Sequence, residues 1–227
     1  MSSFILLALD APLQGWGDVA RDSRRPAGEA PGRSAVTGLL ANALGWRYED
    51  GAQTNALQGA LRFATCMYSP ADHGLMTDFQ TAYLSGAVAG WTRYGVEGRI
   101  GDYSEGNTIL RKQFATGSAY AVALGLHNDS PVSFDALHAA LARPARTLFL
   151  GRRSCIPTRP ILDGIVEATS ASHALMTRVK GSVPVWYDEG EGPSDGRMSV
   201  PDQRNFSTDR FATGTQLFSR MMEGRLS

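Results

Sequence analysis

Ser3-Phe4-Ile5-Leu6-Leu7-Ala8-Leu9, stopped by Asp10-Ala11-Pro12, is the stretch from which the fold is read. A short, unbroken apolar run bounded by turn residues reads as a buried first strand. An irregular Gly/Pro/Arg-rich segment follows, from Gly15 to Gly32, and it leads into the clearest helical pattern of the chain. Val36, Leu39, Leu40, Ala43 and Leu44 recur at i, i+3, i+4, i+7 and i+8, one face of a 3.6-residue repeat. Ser34 is the expected cap and Gly45 the expected stop.

Further along, Leu61 to Tyr68 alternates loosely as a second strand, halted by Ser69-Pro70. Ala119 to Leu124 supplies a third strand. Ser133 opens a second amphipathic helix carrying Phe134, Leu137 and Leu141, Pro144 ends it, and Thr147-Leu148-Phe149-Leu150 supplies a fourth strand. The order β-α-β-β-α-β predicts an α+β chain whose residues 1–150 form a ferredoxin-like domain. A long insertion at about 72–113 interrupts it, polar, Gly-bearing and aromatic with little periodicity, which in a compact domain points to function. Residues 151–227, rich in Pro, Gly and polar side chains with short pieces such as Val183 to Tyr187, read as a small, irregular β-rich region. The acidic stretch Asp188-Glu189-Gly190-Glu191 reads as a solvated loop. The same fold underlies RRM-type RNA binders, but the RRM aromatic signature is absent and the topology alone assigns no function.

With 227 residues, 43% of them hydrophobic and 19% charged, the chain can bury a real core and is no disordered tail. Its formal net charge is zero, so no global positive field advertises nucleic acid. The cations are nonetheless lopsided: all are Arg except Lys112 and Lys180. Arg suits phosphate through its planar, two-pronged fork, although a GC-rich genome produces the same bias. Cys66 and Cys155 are far apart, which argues against a disulfide framework and fits a reducing cytosol. The first apolar run is too short for a signal peptide and no stretch approaches a membrane span, so a cytoplasmic, membrane-free location is expected.

Three constellations could carry chemistry. Arg24-Arg25-Pro26 and Pro31-Gly32-Arg33-Ser34 lead into the first helix, whose N-terminal N–H groups could cradle phosphate, or else form an ordinary exposed loop. Gly28 to Ser34 is no nucleotide-hydrolysing P-loop, having three residues between its glycines and Arg in place of Lys. Leu150-Gly151-Arg152-Arg153-Ser154-Cys155 puts cations beside a glycine at a strand end, suited to an RNA backbone or to pairing with acids elsewhere. In the insertion, Trp91, Arg93, Tyr94, Arg99, Tyr103, Arg111 and Lys112 lie among glycines, as stacking on unpaired bases requires and as simple loop packing also allows. His73, His127, His138 and His173 are scattered without a metal-ligand spacing, so neither a metal nor a cofactor is expected.

These residues also carry a family resemblance. Pro12-Leu13-Gln14-Gly15-Trp16-Gly17 is similar to the P-[LM]-Q-x-W-G motif that follows the first strand of the CasD family. Arg25-Pro26, Pro31 to Val36 and Gly38-Leu39-Leu40 resemble that family's R-P-T-x-x-x-P-T-[RK]-S-x-[VL]-x-G-L-L, with Gly28 and Gly32 standing at commoner Thr positions. Leu150 to Cys155 resembles its L-G-R-[KR]-S-C, and Arg210-Phe211 sits where an Arg-x-Phe-type tail is common. The resemblance implies a fold of the RAMP superfamily with a thumb-like hairpin between the second and third strands. It implies a non-catalytic subunit of a type I-E CRISPR Cascade-like complex in antiviral defence, gripping the 5′ handle of the crRNA. The partners it implies are a CasC-type backbone subunit, a CasA-type large subunit and, through the complex, target DNA. On the matching motifs it implies RNA contacts at Gln14, Trp16, Arg25, Arg33, Ser34, Arg152, Arg153 and Ser154. Arg24, Arg93, Arg99, Arg111 and Lys112 join them from charge and position alone. The alternative reading is a metal-independent endoribonuclease that processes repeat RNA, as a related subunit does in type I-C systems. A further alternative is a structural protein that touches only proteins.

Overall fold

The computed structural model describes residues 1–17, 24–69, 74–84, 106–195, 197–208 and 210–225. In chain order its elements are β1 (Ser2–Asp10), β2 (Leu13–Gln14), β3 (Arg24–Arg25), α1 (Arg33–Ala43), α2 (Gly51–Ala60), β4 (Leu61–Ser69), β5 (Gly74–Leu84), β6 (Gly106–Thr116) and β7 (Ala119–Leu126). There follow α3 (Phe134–Ala142), β8 (Leu162–Ala168), α4 (Ala171–Met176), β9 (Ser182–Tyr187), β10 (Arg197–Asn205) and β11 (Arg210–Glu223).

One seven-stranded sheet runs β10-β11-β9-β4-β7-β1-β8, and every neighbouring pair in it is antiparallel. Its β4-β7-β1-β8 portion is the ferredoxin-like order, two split β-α-β units interleaved around the central β1 and β7. Strand β1 is apolar from Phe4 to Leu9 because the sheet is covered on both sides. Ile5, Leu7 and Leu9 join Phe63, Val122 and Leu124 against Val36, Leu39 and Leu40 of α1 and Leu137 and Leu141 of α3. Phe4 and Leu6 point the other way, with Ala64, Cys66 and Ala123, onto Ala171, Ala174 and Leu175 of α4. Alternation between two buried faces leaves no polar position between Phe4 and Leu9.

The fourth strand of the ferredoxin-like unit is β8 rather than residues 147–150. Leu148 and Leu150 are buried, which explains their apolar character, but the backbone there is a loop. The Leu150 N–H donates to the Cys155 carbonyl at 2.7 Å and the Leu150 carbonyl accepts from Gly15 N–H at 3.0 Å. The sheet therefore continues past residue 150, and β9, β11 and β10 extend its far edge beyond β4. The C-terminal third is β-rich, as expected, yet shares one sheet with the first two-thirds.

The acidic stretch after β9 is divided: Glu189 and Gly190 are exposed, whereas Asp188 and Glu191 are buried rather than solvated. Asp188 is 5% and Glu191 6% exposed. Asp188 pairs with Arg33 at the start of α1, and Glu191 accepts from Arg62 Nε at 2.6 Å and from the Ala171 N–H at 2.7 Å. Two buried ion pairs thus fasten the extension to both layers. Helix α1 starts after Gly32 with no side-chain cap, so Ser34 does not serve as one, whereas Gly45, at φ +80°, closes it as its sequence position implies. Ser133 caps α3 by accepting from Ala136 N–H at 3.2 Å. Among the described residues no helix is long and apolar enough to cross a membrane.

Candidate nucleic-acid interface

The insertion between β4 and β7 is an antiparallel hairpin of β5 and β6, in continuous register from Gly74↔Thr116 to Leu84↔Gly106. It sits where a thumb is expected, and it carries exposed apolar residues on both faces. Leu75, Phe79 and Ile109 lie on one face and Met76 on the other, each more than a third exposed. Arg93 and Arg99, with Trp91, Tyr94 and Tyr103, lie outside the described residues.

The base of this hairpin draws distant parts of the chain together. On the edge of β6 away from β5, β2 pairs antiparallel through Leu13↔Thr116 and Gln14↔Ala115. Next to it β3 pairs parallel with the same strand through Arg24↔Arg111 and Arg25↔Lys112. Cations 87 positions apart in the chain therefore stand side by side across one ladder. Side chains of directly paired residues share a face, so Arg24, Arg111 and Phe79 lie on one side and Arg25, Lys112 and Asp78 on the other. The Arg111 guanidinium sits 5.4 Å from the centroid of Phe79, a ring that is 65% exposed. Lys112 Nζ donates to Gln80 Oε1 at 2.6 Å, and Gln80 Nε2 in turn donates to Asp78 Oδ2 at 2.6 Å. Asp78 is thereby engaged beside Lys112, and Arg24 and Arg111 remain exposed.

Arg152 locks this arrangement. Its Nη1 donates to the Gln113 carbonyl of β6 at 2.8 Å and its Nη2 to the Arg25 carbonyl of β3 at 3.4 Å. Its guanidinium lies 4.5 Å from the centre of the Phe114 ring. Burial pushes the Arg152 pKa below its ordinary value, and Arg25 nearby adds to the lowering. The loop that presents Arg152 is shaped by two glycines. Gly151 has φ +86°, and a Cβ there would collide with the Gly15 carbonyl oxygen. A Cβ on Gly15 would lie 2.8 Å from Arg152 Cγ. Arg153 and Ser154, at the tip of the same loop, are exposed.

Other sequence-predicted contacts turn out to support the site from beneath. Gln14 is 0% and Trp16 1% exposed. Gln14 Nε2 donates to the Leu9 carbonyl at 3.1 Å and the Ser118 carbonyl at 2.6 Å, while its Oε1 accepts from Trp16 Nε1 at 2.8 Å. This buried amide ties the end of β1 to the start of β7, and its polar atoms are satisfied within the protein. The Trp16 carbonyl accepts from Gly28 N–H at 2.7 Å, which pins the far end of the arginine loop. Arg33 and Ser34 are buried at the start of α1, and the Arg33 charge meets Asp188. All four side chains are thus buried within the chain, Arg33 and Ser34 keeping 8% and 9% of their surface exposed. Phe79 was missed by the sequence, where nothing but its place in the insertion marked it.

What the arrangement offers is an exposed basic edge, an aromatic ring beside a guanidinium, and a rigid glycine-shaped loop with a further cation. Such a surface suits single-stranded RNA, with phosphates on arginine forks and a base on the ring. Among the described residues no cluster of His, Cys, Asp and Glu could hold a metal ion. The chain is 29% identical over 177 residues to the CRISPR system Cascade subunit CasD of Escherichia coli strain K12, covering 78% of this chain and 77% of that protein. A solved chain described as a Cas protein aligns with a TM-score of 0.61 at 26% identity, over 96% of this chain and 93% of that one. A chain of a CRISPR RNA-guided surveillance complex aligns with a TM-score of 0.67, over 97% of this chain and 90% of that one, and at 18% identity it shows the common fold. Residues 4–218 match the family described as CRISPR-associated protein (Cas_Cas5), and the chain belongs to that family.

Proposed function

We propose that the protein is a non-catalytic subunit of a Cascade-like CRISPR surveillance complex that grips the 5′ handle of the crRNA at the base of its thumb hairpin. The observation that carries the reading is the β3–β6 ladder, which sets Arg24 and Arg25 beside Arg111 and Lys112. Arg24, Arg111 and the tip residues Arg153 and Ser154 supply contacts to phosphate, Phe79 a stacking surface, and Arg25 and Lys112 the second face. Arg152 positions β3 and β6. Gln14, Trp16, Arg33 and Ser34 act through the frame they build. The relative named as a Cascade subunit supports membership of an assembly; in this reading the assembly holds crRNA, a backbone subunit and a large subunit. In this reading the chain meets target DNA only through the assembly.

The test is binding of labelled repeat-derived RNA to the purified chain and to the reconstituted complex, in EDTA, read on native and denaturing gels side by side. The reading expects a retained, uncut RNA that prefers the intact handle. Discrete cleavage without metal would replace it with the endoribonuclease reading. RNA binding that ignores the handle, alone and in the complex, would leave a protein–protein role.

A further inference from the structure

A second constellation of arginine and aromatic side chains lies away from the thumb, over the ends of the helices. A cleft of about 280 Å³ opens between α1, α2 and the turn that joins β10 to β11. Trp46, Tyr48, Phe149 and Phe206 line it, together with Arg47, Arg146 and Arg204. Among the described residues no Asp or Glu lines it.

The walls are held in place by side-chain hydrogen bonds to the backbone. Arg146 donates through Nη1 to the Trp46 carbonyl and through Nη2 to the Gly45 carbonyl, both at 2.6 Å, so the Trp46 backbone is clamped. Helix α2 holds the opposite wall with two amides at i and i+3. Gln58 Nε2 donates to the Arg204 carbonyl at 2.8 Å while its Oε1 accepts from Arg204 N–H at 3.3 Å. Asn55 Oδ1 accepts from Phe206 N–H at 2.7 Å, and its Nδ2 donates to Asn205 Oδ1 and Ser207 Oγ. The Arg204 guanidinium is half-buried and lies 5.4 Å from the Phe206 ring centre. Tyr48, 74% exposed, stands at the mouth. Gln58 is itself 1% exposed, a buried amide spent wholly on fixing the turn.

We infer that this cleft is a binding site for a single nucleotide, its base among the aromatic rings and its phosphate on Arg47 and Arg204. The combination decides the chemistry. Aromatic walls favour a planar ring, worth about 1–3 kcal/mol per stacked base. Arginines favour an oxyanion that they can hold with parallel N–H donors. The volume admits one ring with its ribose phosphate rather than a folded peptide. The site is independent of the thumb surface, sharing no residue with it.

Two sources could supply such a ligand, a free nucleotide or an unpaired nucleotide of a bound RNA. Calorimetric titration of the full chain with AMP, and separately with a short single-stranded RNA, distinguishes them. Arg204→Ala and Tyr48→Ala are each expected to weaken the occupant's binding about tenfold, the loss of one charged hydrogen bond or one stacked ring. Thermal unfolding of each variant serves as the folding control, and Tyr48→Ala, at an exposed position, is expected to fold normally. AMP binding that both variants weaken supports a free-nucleotide site. Weakening seen only with RNA supports an RNA subsite. No binding of either probe that depends on Tyr48 or Arg204 overturns the inference. An Arg24→Glu/Arg111→Glu variant should retain AMP binding, so failure here is distinguishable from failure of the handle reading.

Discussion

Removing the Arg152 side chain tests whether this guanidinium is a strut or a phosphate contact. It makes a 2.8 Å bond to the Gln113 carbonyl and a longer one, 3.4 Å, to the Arg25 carbonyl, and it stacks at 4.5 Å on Phe114. Hydrogen bonds to a charged group contribute about 1.5–3 kcal/mol each, and the longer one belongs at or below the bottom of that range. A partly exposed cation over a ring adds about 1 kcal/mol. Water replaces some of this because the residue is half-buried, so Arg152→Ala should cost roughly 3 kcal/mol. Arg152→Lys keeps the charge but has no fork to span two carbonyls, and should still cost roughly 1–2 kcal/mol. Urea unfolding at unchanged m-value reads both numbers directly. If Arg152 is a strut, RNA affinity falls in both variants in step with stability, because β3 loses its tie. Should Arg152→Ala leave the unfolding free energy within about 0.5 kcal/mol of wild type while Arg152→Lys keeps full RNA binding, the strut argument is refuted.

Other outcomes follow from the same geometry. Glu191→Ala takes the carboxylate from the largely buried Arg62 and orphans the Ala171 N–H, and should destabilise the chain by about 3 kcal/mol in urea unfolding. Gly151→Ala places a Cβ against the Gly15 carbonyl at φ +86°, so a loss of more than about 1 kcal/mol is expected, with weakened RNA binding on the native gel. Burial pushes the Cys66 thiol from 9.0 up to about 12. Its raised folded pKa means the associated stability is whole below pH 9 and is lost as pH rises toward 12, so urea midpoints should fall between pH 9 and about 12, less steeply in Cys66→Ala. Arg24→Ala and Arg111→Ala should each reduce the slope of log affinity against log salt by about 0.7 if each holds one phosphate of single-stranded RNA.

The sequence made legible those elements whose apolar positions recur regularly. Helix α1 shows its stripe because Val36, Leu39 and Leu40 pack on the sheet, although its remaining positions are buried or half-buried as well. Helix α2 was not seen, because its buried side is Gly51, Thr54, Leu57 and Gln58, residues with no apolar period. The thumb strands carried no signal for a different reason: Leu75, Met76 and Phe79 are exposed on both faces, so no alternation was selected by a core. Leu148 and Leu150 misled because burial makes a loop as apolar as a strand, whereas the true edge strand β8 alternates around Gly164 at a register shift.

The site divides in the same way. Its components were visible as Arg24-Arg25, Arg111-Lys112 and the Gly151-Arg152-Arg153 loop, each read from local charge. That they form one surface depends on a parallel ladder between strands whose paired residues are 87 positions apart, which no local pattern encodes. Arg33 looked like a phosphate ligand at a helix start, and only the chain's return after β9 brings Asp188 to neutralise it. The acids of a neutral protein decide which arginines stay available, and their placement is a property of the fold.

The most direct test of the account is the binding of handle-bearing RNA to the reconstituted complex containing either the wild-type chain or Arg24→Glu/Arg111→Glu, in EDTA, with the RNA recovered on a denaturing gel. The account predicts tight, handle-dependent retention of uncut RNA by the wild type and a loss of at least about tenfold in the double reversal, with the variant still folded. Equal retention by both chains, or RNA returned cleaved, would contradict it.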